Sequence, residues 1–420
     1  MAAAEQPAKR GSADLLPWSV TAEQLVAPPP PPAAAQPPLE LSVVDRIAVP
    51  TAFLHQTFVF EQALDADRLG AALAEVLALL PTLSCCANKG QDGEWALAAP
   101  GAGALLTLGT SAAALQRLAP LPLPPLAPQA DLGGELFGHL PPTLPASDPA
   151  AAAATPLLQV ALFAALAAKP PLQALTLHVS AARLAALKEQ AMAELAAAGS
   201  TADAAGDGQQ GTCAGAWVSS NDALMAWLWK ALAALPCRRG AVTPFNLALD
   251  MRSRMQLPTA HPTLPRWVYG NLATSAFCPE LDAAALPLGQ VALALRQTVV
   301  SDAGKFAGDV AYATQHAASG GSCSALAILP VLRILEAASA GQVPVLMASQ
   351  WALDHARDVD FGGQLPLAAA ASFGSALMFP VAVSQAAPPA AGGGIMLHLW
   401  LWPDEARELT AALMADTSWA

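Results

Sequence analysis

The sequence predicts a mixed α/β protein built as two domains. Three observations carry that expectation. The chain has 420 residues, and single hydrophobic cores usually stop growing near about 250–300 residues. Segments of strand period and segments of helical period mix irregularly along both halves, with no repeat of fixed length. Near the middle lies Gly199 to Gly215, a small and polar stretch with no large apolar side chain, which has the composition of an interdomain linker. The resulting division is a Pro/Ala-rich low-complexity segment over 1–38, a first domain over 39–198, a linker over 199–215 and a second domain over 216–420.

Each element follows from its residues. Pro28 to Pro32 and Pro37-Pro38 form a stiff, solvated polyproline stretch. The alternating, aromatic and β-branched run Phe53 to Phe60 predicts a strand. From Asp65 to Leu80, the apolar residues Leu69, Ala72, Leu73, Val76, Leu77 and Leu80 recur at helical spacing, with Asp65 as N-cap and Pro81 as stop. Gly93 to Leu97 and Leu105 to Leu108 read as strands, Ala112 to Leu118 as a short helix, Pro120 to Pro128 as a loop and Leu157 to Phe163 as a buried strand. Leu175 to Val179 is a strand feeding a helix over Ala181 to Ala197, in which Leu184, Leu187, Ala191 and Leu195 share a face. The second half opens on a helix capped by Ser219 or Ser220, with Asp222 in its first turn and Trp227, Trp229 and Leu232 further along. Phe245 to Asp250, Val345 to Ala348 and Ile395 to Leu401 are strands, the last at an edge or in the core. Leu288 to Val300 and Asp404 to Leu413 are helices.

Composition excludes several functions. A net charge of -12 and a pI near 4.9 disfavour a nucleic-acid partner, which needs clustered Lys and Arg to displace counterions. Such an average still permits one small anionic ligand held by a few local groups. The uncharged stretches Pro149 to Ala168 and Phe361 to Pro403 are alanine-rich or cut by proline and glycine, so neither reads as a membrane span. Cys85, Cys86, Cys213, Cys237, Cys278 and Cys323 form no C-x-x-C pair and no metal spacing with histidine. Met1 to Trp18 has Lys9 and Arg10 but no apolar run after them and so does not read as a signal peptide, and a reducing, cytoplasmic location is expected, with a plastid as the alternative. Asp360-Phe361-Gly362 spells the magnesium tripeptide of protein kinases, but no H-R-D, V-A-I-K or glycine-rich phosphate loop accompanies it. No G-x-S-x-G elbow occurs either.

Seven segments in order resemble the plant-type acyl-CoA-dependent acyltransferases known as the BAHD family. They are Leu39–Asp45 (LELSVVD), Thr155–Phe163 (TPLLQVALF), Leu177–Ala191 (LHVSAARLAALKEQA), Ser219–Ala233 (SSNDALMAWLWKALA), Asp250–Arg254 (DMRSR), Tyr269–Asn271 (YGN) and Asp358–Pro366 (DVDFGGQLP). The resemblance spans roughly residues 39–413. It implies two similar mixed-sheet domains with a ligand channel between them. An acyl-CoA cosubstrate and a small hydroxyl or amine acceptor would enter that channel from opposite faces, with no permanently bound cofactor, no metal and a monomer sufficing. A histidine would take the acceptor's proton, and a fixed donor would hold the oxyanion of the tetrahedral adduct. The resemblance also implies a structural ion pair from Asp360 to Arg252 or Arg254, in a loop with Phe361, Gly362 and Gly363. Gly363 stands where the family has tryptophan.

The family's catalytic His-x-x-x-Asp has no counterpart. None of His55, His139, His178, His261, His316, His355 and His398 is followed four residues later by Asp. Only residues 164–174 separate two segments that the family spaces widely, as a deletion of the catalytic block would leave them. The catalytic residue is therefore unassigned. His178, the histidine nearest the gap, stands as the fallback, although Ala182 occupies the position of the orienting carboxylate. Two functions follow: an acyl-CoA-dependent acyltransferase of secondary metabolism, or a catalytically inactive relative that binds ligands or partners.

Overall fold

The computed structural model describes residues 18–28, 55–89, 95–98, 103–111, 126–127, 172–205, 216–238, 244–251, 254, 273–278, 281–320, 346–351, 360–372, 380–388 and 392–416. In chain order its elements begin with β1 (Trp18–Val26), β2 (His55–Val59), α1 (Ala66–Leu79), β3 (Cys86–Lys89), β4 (Trp95–Ala98), β5 (Ala104–Ser111) and β6 (Leu126–Ala127). Then come β7 (Gln173–Val179), α2 (Ala181–Ala205), α3 (Ser220–Ala233), β8 (Phe245–Asp250), β9 (Ala273–Cys278) and α4 (Leu288–Ala318). The chain closes with β10 (Leu346–Trp351), β11 (Ala368–Ser372), β12 (Val381–Ala386), β13 (Ile395–Leu401) and α5 (Pro403–Ala415). This is the mixed α/β class expected from the sequence.

One seven-stranded sheet, in the order β6-β7-β13-β12-β10-β8-β9, organises the molecule. Its centre is parallel, with β8, β10 and β12 running the same way, while β13, β7, β6 and β9 add antiparallel edges. Strands from before and after 199–215 therefore share it. The alternation of side chains along each strand gives two faces. On one, Leu175, Leu177, Phe245, Leu247, Leu346, Ala348, Leu397 and Leu399 pack under α2, α3, α4 and α5 as one continuous core. On the other, Val381, Val383 and Trp400 gather with Leu172, Ala174, Met347 and Trp351.

Helix α2 buries Leu187, Ala191 and Leu195 at the spacing the sequence predicts. It runs on to Ala205, into the stretch expected to be linker. Helix α3 is apolar nearly all round, as a helix enclosed between α2, α4, α5 and the sheet must be. Its Trp229 stacks on Phe245 of β8 with centroids 5.1 Å apart. Where α4 crosses α2, Gly289 is required because a Cβ there would overlap the Ala191 carbonyl oxygen. The Gly289 amide donates to Glu194 at 2.7 Å. Arg238, after α3, ion-pairs with Glu405 of α5 at 2.7 Å, with both side chains buried.

Several expectations needed correction. The Pro120 to Pro128 loop contributes β6, which pairs with β7. Helix α4 continues well past Val300. Of the two positions left open for β13, edge or core, it takes the sheet interior. Strand β1 lies inside the segment read as low complexity and pairs antiparallel with β5. The short helix at Ala112 to Leu118, the strand at Leu157 to Phe163 and the Tyr269–Asn271 turn fall outside the described residues, as do residues 164–171 of the 164–174 gap.

Candidate functional site

A pocket of about 280 Å³ opens where the parallel strands β8 and β10 end, against the start of α3 and the flank of α4. In open α/β sheets ligands bind outside the carboxyl ends of strands, because the loops and helix N-termini there converge on one crevice. Its walls include Ser219, Asn221 and Asp222 from α3, Leu247 and Leu249 from β8, and Arg254. Arg296 and Val299 of α4, Ser349 and Gln350 of β10, and Ser384 of β12 complete them.

The α3 end of the pocket is rigidly built. Ser219 caps the helix: its hydroxyl accepts from the Asp222 amide at 3.1 Å, while the Asp222 carboxylate accepts from the Ser219 amide at 2.7 Å. This reciprocal box satisfies two amides that a helix start would otherwise leave unpaired. The same carboxylate takes the Ser219 hydroxyl at 2.7 Å and Arg296 Nε at 3.2 Å. Arg296 also lies over Trp217, with its guanidinium carbon 4.5 Å from the ring centroid, and Lys188 Nζ is 5.4 Å from the same ring. Arg296 is thereby fixed between an anion and an aromatic face.

The Asp360 loop sits elsewhere. Phe361 meets Phe60 edge-on at 5.3 Å, the Gln62 amide donates to Gln364 Oε1 at 3.3 Å, and β11 pairs with β2. The Asp360 carboxylate accepts from the Gly363 amide at 2.5 Å, closing its own turn. A side chain at Gly362 would press on the Arg68 guanidinium of α1. Among the described residues no ion pair joins Asp360 to Arg254, which lines the pocket instead. Arg252 lies outside the described residues. The loop is a clamp between the two halves of the chain, with α1 and β2 as its partners.

His178 is likewise occupied. Its Nε2 donates to the Gly393 carbonyl at 2.7 Å, tying β7 to the turn before β13. Gly394 in that turn holds φ +91°, and a Cβ would overlap the Val179 carbonyl oxygen. His398 faces the other side of the sheet from the pocket. Its Nδ1 contacts the Thr176 hydroxyl at 3.1 Å, its Nε2 has no partner among the described residues, and burial pushes its pKa down to about 4. Burial also raises the thiols of Cys278 to about 11 and Cys237 to about 12, the latter aided by Glu408. Neither is a thiolate nucleophile at neutral pH. Among the described residues there is no metal-holding group of His, Cys, Asp and Glu, and no helix long and apolar enough to cross a membrane.

Of the residues singled out from sequence, Arg254, Ser219 and Asp222 line the pocket. Arg296, Ser349, Gln350 and Ser384 carry no motif, and the capping pattern at Ser219 and Asp222 was the one local signal pointing here.

No protein-family model and no curated protein matches the chain. Solved structures do. The crystal structure of vinorine synthase aligns over 95% of this chain and 98% of its own, at 16% identity and a TM-score of 0.55. Polyketide synthase associated protein 5 from Mycobacterium tuberculosis aligns over 90% of this chain and 96% of its own, at 16% identity and a TM-score of 0.44. TRI101 of F. sporotrichioides, complexed with coenzyme A and T-2, aligns over 60% of this chain and 51% of its own, at 21% identity and a TM-score of 0.39. The chain therefore has the fold of vinorine synthase along nearly its whole length.

Proposed function

We propose that this chain is a BAHD-type protein that binds an acyl-CoA thioester and transfers the acyl group to a hydroxyl or amine on a small acceptor. The observation that carries this reading is the order of seven motifs over roughly residues 39–413, in a chain with the vinorine synthase fold across 95% of its length. In such a transfer the acceptor oxygen or nitrogen attacks the thioester carbonyl. A base removes its proton, and the collapsing tetrahedral adduct expels the CoA thiol. The parts of this chain suited to the task are a rigid crevice at the strand ends, lined by the hydroxyls of Ser219, Ser349 and Ser384 and by Arg254 and Arg296.

A second reading, an inactive relative that keeps the ligand site, is favoured by one specific feature: no histidine in the sequence is followed four residues later by Asp. His178, the fallback, lacks the orienting carboxylate of that motif, with Ala182 four residues on, and its Nε2 donates to the Gly393 carbonyl. One pair of assays separates the readings. CoA at about a hundredfold over its Kd should stabilise the fold by about 2.7 kcal/mol in either case. Release of free thiol from acetyl-CoA or a longer acyl-CoA, in the presence of alcohol and amine acceptors, occurs only in the first. Stabilisation without thiol release selects the inactive relative, and the absence of both removes the acyl-CoA reading.

A further inference from the structure

We propose that the pocket at the ends of β8 and β10 is an oxyanion site, which holds a phosphate or carboxylate of a small ligand through Arg254 and Ser384. Its ionisable lining residues are Asp222, Arg254 and Arg296. Asp222 and Arg296 neutralise one another at 3.2 Å, and the Asp222 carboxylate is further engaged by the Ser219 amide and hydroxyl. Arg254 is exposed and makes no ion pair among the described residues, so among them its positive charge at the pocket is uncompensated. The positive end of the α3 macrodipole points the same way, although Asp222 offsets part of it.

The second observation is independent of charge. Ser384 is 1% exposed, and its hydroxyl has no hydrogen-bond partner among the described residues, yet it lines this pocket. Leaving a buried hydroxyl unpaired costs about 1–3 kcal/mol. A ligand rich in acceptor oxygens removes that cost and pairs the guanidinium at once, whereas a cation would oppose Arg254 and an apolar group would leave the hydroxyl dry. The volume, about 280 Å³, is at the low end of small-molecule sites, so it suits an anionic head group and not an entire nucleotide cofactor. The inference does not depend on acyl transfer, since the anion can be part of a thioester substrate, an acidic acceptor or a separate effector.

Calorimetric titration of the full chain with inorganic pyrophosphate, at fixed ionic strength, tests it. Saturable binding is expected, weakened about tenfold or more in Arg254→Gln and about threefold in Ser384→Ala. Because Ser384→Ala also removes the unpaired hydroxyl, the ligand-free variant should melt no lower than the parent, which separates lost binding from lost fold. No saturable heat from the parent chain, or binding undiminished in both variants, overturns the proposal. Repeating the titration with CoA present identifies the source: competition assigns the anion to the thioester substrate, and its absence assigns a separate ligand. An intact pyrophosphate site without acyl transfer would remove only the enzymatic reading. Acyl transfer with no pyrophosphate site would remove only this one.

Discussion

Among the described residues, the two halves of the molecule bury their side chains very differently. From β7 onward, strands and helices close over a continuous core that reaches from Leu175 to Leu413. In the described residues up to Ser111, the buried apolar side chains are Val26, Val59 and Leu77. The strands there stand in two-stranded sheets, β1 with β5, β3 with β4 and β2 with β11. A two-stranded ribbon has too little face to bury much apolar surface, whereas a seven-stranded sheet under four helices has ample. Leu25 and Leu105 illustrate the contrast: they face each other across β1 and β5, and both are more than 60% exposed. Stability should therefore reside in the large sheet, and the described ribbons of the first half should tolerate change.

The largest expected effect breaks that comparison if it fails. Trp229→Ala, beneath α3, should cost about 3–5 kcal/mol in urea unfolding, by lost transfer energy and the cavity left against Phe245. Glu405→Ala should cost a similar 3–5 kcal/mol by stranding the buried Arg238 guanidinium. A smaller effect follows from His398. Its folded pKa, about 4, lies below the ordinary 6.5, so between these values the unfolded chain binds a proton that the folded chain refuses. This contribution is fully present above pH 6.5 and is lost as pH falls toward 4, by about 3 kcal/mol in all. His398→Leu should flatten that part of the acid-stability curve. A curve of unchanged slope would show that the ring is not held neutral.

Smaller still is the helix cap in the first half. Asp65 accepts the Asp67 and Arg68 amides at 3.0 Å, and Asp65→Ala should cost about 1 kcal/mol. Leu25→Ala in the β1–β5 ribbon should change stability by no more than about 0.5 kcal/mol. If Leu25→Ala proved as costly as Trp229→Ala, the first half would bury far more than its described side chains do.

Much of this architecture was legible in the sequence, for identifiable reasons. Strands β8 and β13 match their expected spans, because runs such as Ile395 to Leu401 are apolar, short and flanked by turn residues. Helix α1 was recognisable from Asp65 and Pro81, whose effects are local. Helix α4 was underestimated because beyond Val300 its buried residues thin out to Phe306 and Ala313, leaving no periodic stripe. Strand β12 was lost inside a proline-interrupted stretch, since its burial on both faces depends on β10 and β13, which arrive from distant chain. The pocket was illegible for the same reason. Arg254, Arg296 and Ser384 meet only because parallel strands β8, β10 and β12 end together beside α3 and α4. The packing of the Asp360 loop on Phe60, Gln62 and Arg68 of the first half was not legible in its motif, since those partners come from distant chain.

The account stands or falls most directly on a calorimetric titration of CoA into the full chain. Saturable binding at one site per chain is the predicted result, weakened or not by pyrophosphate. No binding heat up to millimolar CoA, from protein with an intact cooperative unfolding transition, would contradict it and leave the vinorine synthase fold in this chain without the ligand proposed for it.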